Sequence, residues 1–231
     1  MELHELMKTY AKSQGVAPAH DQPTPELGKS LSLFHACLME SGLEYVEFPD
    51  GRKVVSSPME ISLPHLSRFV VGFLPFNSIS TRAETNEVLF DLYSFFRWLD
   101  KRDIDHGLRS IKMEPVILKL TESQDRCLKL SHHLDEATGE ILQDITHIVE
   151  TINDIFLVTK IDRDFIHLQG QNHDDPIRVR LPLDIIELIR LKDSLDLVVG
   201  DTSDKWVILE AGQVYPELGA NEGSAPSSPG C

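Results

Sequence analysis

The chain of 231 residues has few cysteines and no long apolar run. Its three cysteines are odd in number and widely spaced, so they predict neither a disulfide framework nor a C-x-x-C metal site. No stretch approaches the roughly 20 apolar residues that a membrane-spanning helix needs. The first residues, MELHELMKTYAKSQ, lack the basic and apolar segments of a signal peptide. We therefore expect a cytoplasmic protein with no membrane partner.

The sequence also lacks the motifs of several common enzyme classes. It contains no G-x-S-x-G nucleophile turn, and no glycine-rich dinucleotide fingerprint follows a predicted strand. Gly28-Lys29-Ser30 ends like a phosphate-binding loop, but Pro23 stands where that loop needs its first glycine. Without that glycine, the backbone amides cannot form a cradle for phosphate. We predict no catalytic residue and no cofactor.

Positive charge is scarce in the second half of the chain. The net charge is −15, and residues 113–231 carry 10 Lys and Arg against 22 Asp and Glu. Residues 60–112 are balanced, with 7 of each sign. Because each phosphate contact needs a cation, we expect the second half to avoid nucleic acid and anionic lipid. It suits a protein partner better, and DNA binding is expected through the helical domain only.

The most informative stretch runs from Ser80 to Ile104. Apolar residues recur there at the spacing of a helix with one buried face; they are Val88, Leu89, Leu92, Phe95, Phe96 and Leu99. Thr81 and Glu84 have the spacing of a capping box, in which each side chain accepts a hydrogen bond from a free backbone N–H. The pattern predicts a central helix that neighbouring elements cover.

These patterns predict an α+β protein with a helical domain followed by a small β-barrel. Residues 1–24 are expected to form an N-terminal helix and a linker. Residues 25–138 form the helical domain, with a β-hairpin near 45–57. The last helix of this domain is long and is expected to end near Gly139, because glycine commonly follows a helix C-terminus.

The segment 141–216 has the composition of a β-sheet. Five short runs rich in Val, Ile, Leu, Phe and Trp are separated by polar turn residues, with one short helix between the third and fourth runs. Short, closely spaced strands commonly curl into a barrel, because closure removes exposed edges. We predict an SH3-like or OB-like barrel, followed by a disordered tail at 217–231.

One basic cluster lies at the end of the central helix and just after it. It comprises Arg97, Lys101, Arg102, Arg109 and Lys112. These cations are the candidate nucleic-acid contacts of the helical domain. The alternative is a solvated helix end whose cations complement the helix dipole and pair with neighbouring aspartates.

The densest group of metal-capable side chains is His132, His133 and Asp135. On a helix, His132 and Asp135 share one face, and Glu136 has the same relation to His133. A catalytic metal also needs a ligand from elsewhere in the fold. No residue elsewhere in the sequence is marked by its spacing as that ligand. A solvated helix end is therefore the alternative to a metal site.

The central helix and the helix before it resemble the N-terminal core-binding domain of tyrosine recombinases, the phage-integrase type. The segment LPHLSRFVVGFL precedes a capped helix with an aromatic pair near its end. The matching positions are Ser80, Thr81, Leu92, Tyr93, Phe95, Phe96, Trp98, Leu99 and Ile104. The resemblance implies a helical DNA-clamping scaffold. It does not extend to a catalytic domain, since the second half is short, acidic and β-rich.

Two hypotheses for the function follow. The first is a non-catalytic binding or scaffold protein in which a macromolecular partner is held either by the helical domain, as an integrase-like DNA- or protein-binding module, or by the barrel. The second is a metal-dependent hydrolase that uses His132, His133 and Asp135. The apolar stripe of the long helix also allows a homo-oligomer.

Overall fold

The computed structural model describes residues 1–43, 45–48, 51–77, 81–144 and 147–217, and at 45–48, 51–53 and 140–144 it describes the backbone alone. Ser80 of the recombinase-like pattern lies outside these residues, as does the predicted disordered tail beyond Glu217. The elements are α1 (Leu3–Gln14), α2 (Gly28–Glu40), β1 (Tyr45–Phe48), β2 (Gly51–Val54), α3 (Leu63–Arg68), α4 (Leu74–Asn77), α5 (Arg82–Asp100), α6 (Met113–Asp144), β3 (Glu150–Asp162), β4 (Phe165–Gly170), β5 (Ile177–Arg180), α7 (Leu183–Leu188), β6 (Ser194–Asp201) and β7 (Trp206–Tyr215). The predicted α+β class, with helices first and a sheet after them, is confirmed.

The predicted central helix is α5, and its aromatic pair is buried. Phe95 and Phe96 are 0% and 1% exposed. At the N-terminus, the Glu84 backbone N–H donates to Thr81 Oγ1 over 3.3 Å. The Thr81 hydroxyl in turn donates to the Glu84 carboxylate over 2.7 Å. Only half of the predicted capping box forms, because the carboxylate binds the threonine hydroxyl instead of a backbone N–H.

The buried side chains of α1 to α5 form one core, which we call the helical core. Its rings meet edge to face, with centroid distances of 5.1 Å for Phe34 and Phe69 and 5.4 Å for Tyr10 and Phe95. The helix α1, which the sequence analysis set before the helical domain, contributes Leu3, Leu6 and Met7. The strands β1 and β2 pair as an antiparallel hairpin. Its turn residues, Pro49 and Asp50, lie outside the described residues.

The five C-terminal strands form one mixed sheet. The order of pairing is β3-β4-β5-β7-β6, and β6 pairs with β3, so the sheet closes on itself. All neighbours are antiparallel except β5 and β7, which meet in parallel at Val179 and Trp206. Alternate residues point inward and form a second core, which we call the sheet core.

The helix α6 belongs to both cores. Its first turns pack against the helical core through Val116, Ile117 and Leu120. Its middle turns enter the sheet core through Cys127, Leu130 and Leu134. It continues past Gly139 to Asp144, so the predicted end near Gly139 is wrong. A glycine inside a helix costs only about 1 kcal/mol relative to alanine, which the flanking turns tolerate.

The two cores cover the apolar stripe of α6 that suggested an oligomer, although Leu118 remains 55% exposed. Homo-oligomerisation therefore stays a prediction.

Within the described residues, no helix, α6 included, combines the length and the apolar character needed to cross a membrane.

A buried ion pair joins α6 to the sheet. The guanidinium of Arg126 donates two hydrogen bonds to the carboxylate of Asp193, over 2.6 and 2.8 Å. Arg126 also donates to the Leu188 carbonyl, and the Arg190 backbone N–H donates to Asp193. The side chain of Asp193 is 1% exposed and that of Arg126 is 17% exposed. This bidentate geometry is the strongest form of the pair and fixes α6 against the residues that lead into β6.

Candidate functional site

The predicted basic cluster of the helical domain is largely engaged with its own neighbours. The guanidinium of Arg109 lies 2.6 Å from Asp103 and 2.5 Å from Asp105. A third carboxylate, that of Asp100, lies 3.8 Å away. These hydrogen bonds to the two nearer aspartates raise the pKa of Arg109 above its usual value. Arg109 is thus surrounded by acidic groups that a phosphate would have to displace.

Two other cations of the cluster lie over aromatic rings of α5. The guanidinium carbon of Arg102 is 4.0 Å from the ring centroid of Trp98. That of Arg97 is 5.7 Å from the ring of Tyr93. Lys101 and Lys112 have no carboxylate within ion-pair distance among the described residues. Of the five cations, one is paired with carboxylates, two lie over aromatic rings, and two have no carboxylate partner among the described residues.

The candidate metal residues lie on α6, where the two histidines approach one carboxylate. His132 and His133 each approach Glu136, at 3.5 and 3.6 Å. Asp135 and His132 also border a cleft, described below. In the part of the chain that the structure describes, no three His, Cys, Asp or Glu side chains come together as a metal would need. The geometry gives the metal-site hypothesis no further support.

The two described cysteines, Cys37 and Cys127, are buried, and burial raises the pKa of each thiol to about 12. A thiol with such a pKa stays protonated at neutral pH, whereas nucleophilic attack needs the thiolate. Both side chains serve as small apolar groups in the two cores.

A polar cleft lies between α4, α6 and β7. Its volume is about 440 Å³, and its walls include Pro75, Gln124, Ser131, His132, Asp135 and Gly212. The Ser131 hydroxyl donates to the Gly212 carbonyl over 2.7 Å, which ties the helix to the strand across the cleft. Gln124 is 1% exposed, and its Nε2 has no partner among the described residues.

The outer surface of β3, β4 and β5 carries a group of cations that the sequence analysis missed. In antiparallel strands, directly opposed side chains lie on the same side of the sheet. One row pairs Lys160 with His167 and His167 with Arg178. The next row places Phe165 between Asp162 and Arg180. We call Lys160, Phe165, His167, Arg178 and Arg180 the cationic face.

The intervening residues of these strands anchor the cationic face. Ile166, Leu168, Ile177 and Val179 alternate with its members and are at most 1% exposed. Because the side chains of a strand alternate between its two sides, burial of this apolar set holds the cationic set outward. The side chains of Lys160 and Arg180 are 61% and 73% exposed.

The best placed cation of this face is Arg178. Its guanidinium carbon lies 3.6 Å from the ring centroid of Phe165, in a cation–π contact. No carboxylate among the described residues is within ion-pair distance of it. Lys160 and Arg180 each have one carboxylate partner, Asp162 at 3.3 Å and Asp164 at 2.6 Å. The face thus presents three cations and one half-buried aromatic ring beside two carboxylates.

A signal for this face was present in the sequence. In PIRVRLP, Arg178 and Arg180 alternate with Ile177 and Val179, which is the pattern of a strand with one cationic side. The net charge of −12 in residues 113–231 concealed it, since a sum does not show where charges lie. The alignment with Lys160 and Phe165 depends on the strand register, and no motif encodes that register.

Comparisons of the chain with models of protein families, with curated proteins and with solved structures gave no match.

Proposed function

We propose that this protein is a non-catalytic binding protein and that its cationic face holds an anionic macromolecular partner. The observation that carries the proposal is the arrangement of Arg178, stacked on Phe165 and free of carboxylate partners, with Lys160 and Arg180 beside it. Cations placed next to an aromatic ring on an open strand surface are typical of sites for anionic polymers.

The order of the strands supports the same proposal. Numbered within the sheet, the order is 1-2-3-5-4, the third and fifth strands are parallel, and α7 lies between the third and fourth. We propose that the sheet is an OB-like barrel rather than an SH3-like one. In OB folds, ligands bind on the second and third strands, which here are β4 and β5. A fold does not determine a function, so the chemistry of the face carries more weight.

The acidic remainder of the second half restricts where such a partner can bind. We expected this half to avoid anionic partners because of its net charge of −12. At physiological salt, charges act over only about 8 Å. The cations of the cationic face therefore change that expectation at this one surface, because more distant acidic residues are screened. The surrounding acidic surface would repel a polyanion and leave the cationic face as its place of contact.

The other hypotheses receive less support from the geometry. The recombinase-like resemblance of the helical domain stays a prediction, and so does its role in DNA binding. Arg102 lies over Trp98 much as Arg178 lies over Phe165, so the basic cluster is the alternative site. We assign the anionic polymer to the sheet because the cations there occupy directly opposed strand positions. The hydrolase hypothesis lacks a third ligand for its metal among the described residues.

Retention of the full-length protein on immobilised heparin tests the proposal. We expect retention at 50 mM salt and elution at clearly lower salt for the double variant Arg178→Gln/Arg180→Gln. The matched control is Arg82→Gln, because Arg82 is also exposed and has one carboxylate contact, at 3.8 Å, but lies on α5. Lack of retention, or equal losses in the double variant and the control, would refute the proposal.

A further inference from the structure

We infer that the partner of the cationic face is single-stranded nucleic acid, bound with a base on Phe165 and phosphates on Lys160, Arg178 and Arg180. This inference rests on the proposed function and names the class of partner. It depends on three features of the face: an aromatic ring with a guanidinium over it, the spacing of the cations, and a ring nitrogen without a partner.

The ring of Phe165 is the feature that favours unpaired bases. The guanidinium carbon of Arg178 lies 3.6 Å from its centroid. A base can take the same position, because it has a flat surface that stacks on an aromatic ring. The displaced guanidinium then remains beside the site and can contact a phosphate. Bases in a duplex are already stacked inside the helix, so a duplex cannot use the ring in this way.

The spacing of the cations suits a single backbone. Neighbouring strands lie about 4.8 Å apart, so the row of Lys160, His167 and Arg178 extends about 10 Å across the sheet. Arg180 lies in the next row, beside Phe165. Three cations around one ring can accompany a few nucleotides, which agrees with the smallest sites of about four nucleotides known for such sheets.

His167 offers a polar group at the centre of the row. Its Nε2 is buried and has no hydrogen-bond partner among the described residues. A buried polar atom without a partner is uncommon in native proteins. This nitrogen has less than 1 Å² of accessible surface, so a ligand reaches it only when the imidazole turns outward. A nucleobase carries both donors and acceptors on its edge, so it can satisfy this nitrogen in either tautomer.

The test is fluorescence anisotropy with the full-length protein and a labelled 12-nucleotide DNA single strand over a range of salt concentrations. With three phosphate contacts, we expect the logarithm of the association constant to fall with log salt at a slope of about −2. Arg178→Gln is expected to reduce that slope by about 0.7. Loss of base stacking in Phe165→Leu is expected to weaken binding roughly 5-fold to 100-fold.

Two comparisons separate this inference from the proposed function. Inorganic polyphosphate and a 12-base-pair duplex compete with the labelled strand, and we expect both to compete at least 10-fold less well than the unlabelled strand. Arg82→Gln serves as the matched charge control and is expected to bind normally. Circular dichroism of Phe165→Leu verifies that the variant is folded, and Phe165→Tyr, which keeps the ring, is expected to restore binding.

The outcomes are distinct. Equal competition by polyphosphate, with no effect of Phe165→Leu, would overturn the inference and leave an anion-binding face. Failure of every anionic polymer to bind at low salt would overturn the inference and the proposed function together. A loss in Arg82→Gln as large as that in Arg178→Gln would also refute both, because binding would then not depend on this face.

Discussion

The helical core buries polar groups that are neutral, whereas the sheet core has a charged pair buried at its edge. In the helical core His4 and His35 are each 1% exposed, and their rings lie 5.1 Å apart. Burial lowers the pKa of both, that of His35 to about 4, so both are neutral at pH 7. At the edge of the sheet core, Arg126 and Asp193 form a bidentate ion pair.

The two regions therefore lose stability in response to different changes: protonation of a histidine in one, and removal of a charged side chain in the other. A neutral histidine needs only a hydrogen-bond partner, and His35 lies 3.3 Å from Thr24 Oγ1 and 3.4 Å from the Val54 backbone N–H. Adding a proton to it would bury an uncompensated charge. In contrast, the ion pair is complete at neutral pH, and removal of one partner leaves the other charge buried. The helical core is therefore sensitive to acid, and the sheet to loss of a side chain.

The largest expected effect comes from breaking the ion pair. Arg126→Met leaves the carboxylate of Asp193 buried without its cation, and such losses cost about 3–5 kcal/mol. Urea unfolding would measure this, with Trp206 on β7 as the only tryptophan after Trp98→Phe. The double variant Arg126→Met/Asp193→Asn, which removes both charges, should recover a large part of the loss. Equal stability of the single and double variants would contradict this explanation.

The next largest effect is the loss of stability of the helical core at acidic pH. The pKa of His35 is about 4 in the folded protein and about 6.5 in the unfolded chain. Its contribution is therefore fully present above pH 6.5 and is lost as the pH falls from 6.5 toward 4. Between pH 7 and pH 5 the free energy of unfolding should fall by about 2 kcal/mol. Urea titrations at several pH values, followed by Trp98 in a Trp206→Phe background, would measure this.

The control for the pH experiment is His35→Gln, which keeps a polar side chain but cannot gain a proton. This variant will be less stable at pH 7, because a core side chain has changed. Its stability should nevertheless depend less on pH between 7 and 5 than that of the parent. An unchanged dependence would exclude His35 as the source of the acid sensitivity.

Local patterns in the sequence were enough to predict the elements but not their long-range contacts. The helix α5 and the five β-rich runs follow from spacing within about 20 residues. The pair Arg126–Asp193 joins residues 67 positions apart, and nothing near either residue indicates the other. The cationic face likewise requires the register of β3, β4 and β5. The basic cluster could be predicted because its members are close in sequence. The aspartates that bind Arg109 are also close in sequence, so this pairing could be predicted as well.

The smallest expected effect concerns that exposed cluster. The contacts of Arg109 to carboxylates, 2.5 and 2.6 Å, are as short as those of the buried Arg126, but Asp103 and Asp105 are 88% and 72% exposed. Water and salt replace such contacts readily, so exposed pairs add little to stability. Arg109→Ala should leave the urea midpoint almost unchanged, in contrast to Arg126→Met. It should also leave heparin retention unchanged, since Arg109 lies outside the cationic face, whereas Arg178→Gln lowers it. A marked loss of retention in Arg109→Ala would show that the binding site lies in the helical domain and not on the cationic face.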